Sequence, residues 1–455
     1  MNAVTYRFTL FSILCGLLFM ISCEKDTSLD KLSVNEWIYE TMQKNYLWND
    51  EIPELSQINA NAKPEVFFES LLSQKDGKHT DIYDYFYSTI EEDVTTKSSG
   101  TITTTHGLHV TYYSLNDNKI LARINYVDPD SPAEKTGLKR SDWIFAYNNL
   151  TLTTNNYLEF HNYTGKMTLT VGKKDGNTFV KTKEVEVGEA IQMEINPIYI
   201  DTTFLVGNKK IAYLMYNSFR SGPSGYDDKT YDNQLQSVFA EFAAQNPDEF
   251  ILDLRYNSGG VITSAQLLAT MLAPQNALGQ TFCKLIYNES LNKTVEYTLD
   301  KSVIGNGQNL GLNRLYILTE RNTASSSELI INGLRPYFKD NLILVGNTTE
   351  GKNVGSNEFS DKTSHSWVLH PITCLVTNSE KFSDYTDGFT PDYPIDETYY
   401  DGDLGTLGET NEYMLSQTLD LILAGNVSKS LKSAENSLLR IVPQPPQAFS
   451  GILIP

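Results

Sequence analysis

The chain of 455 residues is poor in cysteine, histidine and positive charge. It holds four cysteines, six histidines, and 36 Lys plus Arg against 56 Asp plus Glu, for a formal net charge of -20. An acidic excess of this size excludes nucleic acid, or an anionic membrane surface, as a partner held by charge alone. No cysteine pair has the spacing of a metal site, and no motif asks for a metal or a cofactor. Beyond Ile21 no apolar run is long enough to span a bilayer.

The one long apolar run is at the start. Arg7 is the only charge before Phe8 to Ile21, and Met20-Ile-Ser-Cys23 closes the run. It falls short of the roughly 20 residues that a span needs and reads as a signal-peptide core. Its end resembles a bacterial lipobox. That resemblance implies removal of residues 1–22, acylation of Cys23, a polar tether over 23–32, and a protein attached to the membrane only through Cys23. The expected location is the cell envelope, facing the periplasm or the exterior. With Cys15 lost in the signal, Cys283 and Cys374 remain, and they fit either one disulfide or two core thiols.

The rest reads as a multidomain α/β chain. Residues 33–92 form a helical N-terminal region: Val34, Trp37, Ile38 and Met42 share a helix face, Ser33 and Glu36 can form a capping box, and a second helix is expected over Val66–Leu72. This region offers no chemistry of its own. After a Thr/Ser-rich connector, residues 106–192 change to short strands, with Ser131 capping a short helix, Gly137 ending it, and Asp142 turning into the strand Trp143–Tyr147. Residues 193–425 alternate strands and helices. Leu315–Leu318, a helix carrying Leu329, Ile330, Leu334 and Tyr337, and Leu342–Val345 make a βαβ crossover with two parallel strands. Residues 426–455 have no assignable role.

Within that crossover, Ser325, Ser326 and Ser327 stand where a strand feeds a helix N-terminus, and Lys352 lies beyond the end of the next strand. Both places are at the carboxyl edge of the sheet, where open α/β sheets put their chemistry. A helix N-terminus presents unpaired N–H groups suited to an oxyanion. Ser325 followed by Glu328 is also an ordinary capping box. Gly259 and Gly260 close the strand-to-helix turn after Phe250–Leu254, and glycines there permit a positive φ and a close backbone approach.

Two resemblances add to this. Residues 127–149 resemble a PDZ domain, with Ser141 in place of the glycine that usually precedes Asp142; this implies that Gly107, Leu108, His109 and Val110 receive a peptide's C-terminal end and add it as a strand. Phe250–Gly260, Thr323–Glu328, Gly346–Lys352 and Gly388–Asp392, in that order after the PDZ-like unit, resemble the C-terminal processing peptidases, or tail-specific proteases, over roughly Ser33 to Gly425. The resemblance implies a serine endopeptidase acting on protein or peptide tails without a cofactor, with Ser325 as nucleophile, Lys352 as general base and Ser356 at the position of a residue that orients the lysine. The amides of Ser326 and of Gly259 or Gly260 would form the oxyanion hole. A lysine serves as a base only when burial, here expected against Leu and Val side chains, lowers its pKa from about 10.4. The competing readings are a silent PDZ-bearing scaffold that binds protein C-termini, and an esterase, for which the Gly-x-Ser-x-Gly elbow is missing around Ser325.

Overall fold

A computed structural model describes residues 33–80, 84–92, 102–115, 118–176, 178–397, 400, 402–424, 439–442 and 452–454. The signal segment, the tether and Cys23 lie outside the described residues.

The centre is a six-stranded sheet in the order Ile198–Val206, Lys209–Tyr216, Glu249–Asp253, Leu315–Thr319, Leu342–Gly346, Tyr393–Pro394. The first pair is antiparallel and the others are parallel. Lys209–Tyr216 shows why it is buried on both faces. Ala212, Leu214 and Tyr216 face a core with the helices Thr230–Gln245, Ile262–Leu272 and Ser326–Phe338, while Ile211, Tyr213 and Met215 face Met414, Leu415, Leu419 and Ile422 of the helix Tyr413–Ala424. Side chains alternate across a strand, so a strand covered on both faces must be apolar throughout. Removing one such leucine to alanine costs about 2–5 kcal/mol.

The helix that follows Ser325 runs Ser326–Phe338 and includes Pro336. Proline has no N–H to give to the carbonyl four residues back. The carbonyl of Asn332 accepts instead from Asn378 Nδ2 at 3.2 Å, which lets the helix run on to Phe338.

The β-rich region forms a second sheet, Thr178–Val187, Met167–Asp175, Trp143–Tyr147, Lys119–Val127 and Leu108–Leu115 in spatial order. Ser131 Oγ accepts from Glu134 N–H at 3.1 Å, and Gly137 ends the short turn with φ 73°. Ser141 takes the left-handed φ of 74° where glycine would cost least, and its hydroxyl accepts from Leu404 N–H at 2.9 Å. The unit is joined to the central sheet by a buried charge cluster. Arg140 pairs with Glu397 at 2.7 Å and Glu412 at 2.8 Å, and Arg255 pairs with the same two and with Asp253 at 2.8, 2.9 and 2.7 Å. Burial disfavours an ionised Glu397, but Arg140 and Arg255 outweigh it and hold the carboxyl low.

The N-terminal helix spans Val34–Asn45 with its capping box formed, and the second runs Pro64–Glu69, starting on the proline itself. Neither stands apart. Ile38, Met42, Tyr46, Phe67 and Phe68 share one core with Val354, Leu369 and Ile372, and Thr89–Glu92 pairs with Trp367–His370. Cys283 and Cys374 are buried free thiols on neighbouring antiparallel strands. Burial pushes both up, Cys374 to about 12.

Replacing Arg255 by Met leaves three buried carboxylates short of one cation. The expected loss is about 3–5 kcal/mol, the cost of breaking a buried pair from one side. It is read as a fall in the urea midpoint; an unchanged midpoint would show that the cluster does not hold the two units together.

Candidate active site

Ser325 is the N-cap of its helix and is fully buried, with φ 60° and ψ -111°. A non-glycine residue there carries about 1–3 kcal/mol of strain, which persists only when the surroundings over-determine it. Those surroundings are specific. Its N–H donates to Glu328 Oε2 at 2.9 Å, and its carbonyl accepts from Leu329 N–H at 2.7 Å. A Cβ placed on Gly259, which has φ 110°, would come 2.8 Å from Ser325 Cβ, so only glycine permits this approach. The Ser325 hydroxyl has no hydrogen-bond partner among the described residues. Ser325 and Glu328 stand in the expected capping-box arrangement, but the serine makes no side-chain cap hydrogen bond. The carboxylate caps the serine's amide, and the hydroxyl does not cap the helix.

Glu328 does more than cap. Its Oε1 accepts from Thr349 Oγ1 and Gly351 N–H, both at 2.6 Å, and its Oε2 accepts from Lys352 N–H at 2.8 Å as well as from Ser325. One fully buried carboxylate thus ties the backbone of the serine to the backbone of the lysine. Burial pushes its carboxyl up to about 7, against the opposing pull of these four donors. Thr349 Oγ1 also accepts from Phe389 N–H at 2.8 Å, and Asp392 accepts from Leu344 N–H at 2.9 Å, which brings Gly388–Asp392 against the same loop.

Lys352 is buried, and its ammonium is brought down to about 8 by that burial, opposed by Asp76, Glu350 and Glu328. Nζ lies 4.6 Å from the ring centroid of Tyr87. Tyr87 also donates to Glu350 Oε1 at 3.2 Å, and Asp76 beside it is held by Tyr46 OH at 2.9 Å and the N–H groups of Tyr87 and Ser88 at 3.0 and 3.1 Å. The N-terminal region, from which no chemistry was expected, therefore forms the wall of the lysine's pocket. Sequence alone carried one usable signal, the concentration of tyrosines at Tyr83, Tyr85 and Tyr87.

The other expected residues are placed as follows. Ser326 is buried at the first helical position, where N–H groups have no partner within the helix, and its Oγ donates to Gly260 O at 2.7 Å. The Gly259 N–H donates to Asn257 Oδ1 at 2.9 Å, so that amide is already engaged and is not free to receive an oxyanion. Gly260, with φ 134°, has Phe219 backbone where a Cβ would stand. Ser356 is buried in the strand Val354–Asn357, paired with Ile372 and with Leu453. In the β-rich unit, Gly107 N–H donates to Thr105 Oγ1 at 2.9 Å, Leu108 pairs with Val127, His109 Nε2 lies 2.9 Å from Asp128 Oδ2, and Val110 is buried. Gly107's amide is thus engaged as well and cannot hold a carboxylate in this arrangement.

Comparison with known proteins gives a consistent picture. Residues 210–395 match the family described as peptidase family S41, and residues 33–89 match the peptidase S41 N-terminal domain. A crystal structure from Bacteroides fragilis described as an S41 protease superposes with a TM-score of 0.73 at 31% identity, over 86% of this chain and 97% of that one. The carboxyl-terminal-processing protease of a Picosynechococcus species is 26% identical over 239 residues, 51% of this chain and 50% of the relative. The carboxy-terminal processing protease CtpA of Bacillus subtilis is 22% identical over 300 residues, 63% of this chain and 58% of the relative. The chain thus spans about half the length of the curated relatives it matches.

The Glu328 bridge makes a direct prediction. In Glu328→Gln one oxygen becomes an NH2 facing N–H donors, so stability should fall by about 2–3 kcal/mol, the value of hydrogen bonds to a charged group. Amide exchange at Ser325, Gly351 and Lys352 should speed up together. Protection that persists at Lys352 while it is lost at Ser325 would show that the carboxylate does not join the two loops.

Proposed function

The chain belongs to peptidase family S41, and from that premise we propose that it is a serine endopeptidase in which Ser325 attacks and Lys352 is the general base. The observation that carries this reading is a strained, buried serine whose hydroxyl has no partner among the described residues, together with a buried lysine whose pKa is lowered to about 8, the backbones of both fastened to Glu328.

The chemistry follows in steps. Neutral Lys352 accepts the Ser325 proton while Oγ forms a bond to the substrate carbonyl carbon. The flexible four-carbon stem of Lys352 carries its amine from Tyr87 to the hydroxyl for this step. Negative charge develops on the carbonyl oxygen and is met by the Ser326 amide at the helix N-terminus and by the Gly260 amide. The C–N bond then breaks, the ammonium returns its proton to the leaving amine, and water, deprotonated by the same lysine, hydrolyses the acyl-enzyme. Ser356, on the strand that begins just after Lys352, orients the lysine stem. No step requires a metal or a cofactor.

We assign the β-rich unit a PDZ-like role, in which Leu108–Leu115 receives substrate tails as an added strand. Anchoring through an acylated Cys23 would put the enzyme at the cell envelope, where proteins with exposed tails are the substrates. The lipobox resemblance supports that location.

Ser325→Ala and Lys352→Ala should each abolish hydrolysis of an unfolded model protein, with the double variant hardly worse than either, because residues acting as one unit lose their effect together. Lys352→Arg should also be inactive, since a guanidinium stays charged at any working pH. Hydrolysis by the Lys352→Arg protein would show that another group is the base.

A lysine whose pKa is lowered is a competent base above that pKa. The wild-type kcat/KM should therefore rise with pH through a limb near 8 and level off above it. A profile flat from pH 6 to 9 would remove Lys352 from the mechanism.

A further inference from the structure

The last described residues of the chain lie where a substrate strand is expected. Ile452–Ile454 is a strand between Gly260–Val261 and Val354–Asn357, parallel to both, with Gly260 opposite Ile452, Val261 opposite Leu453, and Ser356 also opposite Leu453. Asn357 Nδ2 donates to Ile454 O at 3.0 Å, and Ile454 packs on the main core. One flanking strand opens with Gly260 and the other starts just after Lys352. Phe219 takes one edge of the glycine strand, accepting from Val261 N–H at 2.8 Å and donating to Gly259 O at 2.9 Å. In an extended strand the N–H groups of neighbouring residues point to opposite sides, so the Gly260 N–H is turned away from Phe219 to the side where Ile452–Ile454 pairs.

The same segment touches the β-rich unit first. Arg440–Ile441 adds as an antiparallel strand to the edge of Leu108–Leu115, with Val442 N–H donating to Tyr112 O at 2.9 Å and Leu439 buried against Tyr113, Leu121 and Trp143. Both places where a substrate would pair, the outer edge and the inner slot, are thus taken by one stretch of this chain.

We propose that the slot between Gly260–Val261 and Val354–Asn357 is a binding site for an extended aliphatic peptide, and that residues 452–454 are its built-in, exchangeable occupant, brought there by the docking of 439–442. This rests on the reading of Ser325 as the nucleophile beside that slot. Main-chain pairing supplies affinity to any extended segment, while the side chains at alternate positions select among them. A three-residue strand is weak by itself, but a tethered one competes at an effective concentration in the millimolar range. The segment therefore excludes poor substrates and yields to good ones, and the slot selects aliphatic residues such as those at Leu453 and Ile454.

The test is a fluorescence-anisotropy titration of labelled Ser-Gly-Ile-Leu-Ile-Pro, the sequence of residues 450–455. It uses Ser325→Ala protein in three forms: the full chain, the full chain with Leu453→Asp and Ile454→Asp, and a chain ending after residue 442. The two altered forms should bind the peptide at least about 10-fold more tightly than the full chain, as expected when a tethered competitor is removed. The same peptide with Asp in place of Leu and the second Ile should not bind. Equal binding by all three forms overturns the proposal. So does loss of folding in both altered forms, because the segment would then be a fixed structural strand. A serine-directed acylating probe on the wild-type chain separates the two readings. Labelling of Ser325 without tighter peptide binding sinks this proposal alone, and tighter peptide binding without labelling sinks the catalytic assignment alone.

Discussion

The geometry of the site depends on a single carboxylate. Glu328 sits where ordinary helix capping would put it, three residues into a helix, yet three of its four hydrogen bonds reach the loop after the next strand, at Thr349, Gly351 and Lys352. Because it is fully buried and faces only donors, any movement of that loop would leave a charged oxygen without a partner, at a cost of several kcal/mol. Two elements that approach only through folding are thereby held in fixed relation. The strain at Ser325 becomes tolerable for the same reason, since its amide, its carbonyl and its contact with Gly259 are all fixed.

The environment of Lys352 assigns a purpose to the N-terminal helices. A lysine at the edge of an α/β sheet would ordinarily be solvated. Here Tyr87, held in place by the network around Asp76, covers it, and that network depends on Tyr46 at the end of the first helix. The capping box at Ser33 and the apolar stripe from Ile38 to Met42 hold the helix that leads into Tyr46, whose hydroxyl donates to Asp76, one of the carboxylates that bear on the Lys352 ammonium. Tyr46, Asp76 and Tyr87 all fall within residues 33–89, the stretch that matches a domain of the same family.

Much of this was legible in the sequence, and the rest was not for identifiable reasons. Strands such as Lys209–Tyr216 and Leu342–Gly346 are short, apolar and bounded by turn residues, and the serine helix has a clear period, so local rules suffice. Ser325, Ser326, Gly259 and Gly260 could be placed together because each stands at the same edge of the parallel strands. Glu328 was visible as a cap but not as a bridge, since its other three donors are more than twenty residues away. The engagement of Gly259 with Asn257 and of Gly107 with Thr105 depends on side-chain rotation that no pattern encodes. Ile452–Ile454 could not be found at all. Three aliphatic residues have no period, and their strand exists only because two others leave room for it.

The two buried thiols carry a consequence for how the protein withstands its surroundings. Thiol–disulfide exchange proceeds through the thiolate, and burial makes the thiolate scarce at both Cys283 and Cys374. The strands on which they sit are held by ladder hydrogen bonds and apolar packing, with no covalent link between them. Among the described residues the fold therefore offers glutathione no bond to reduce and an oxidant little thiolate to attack.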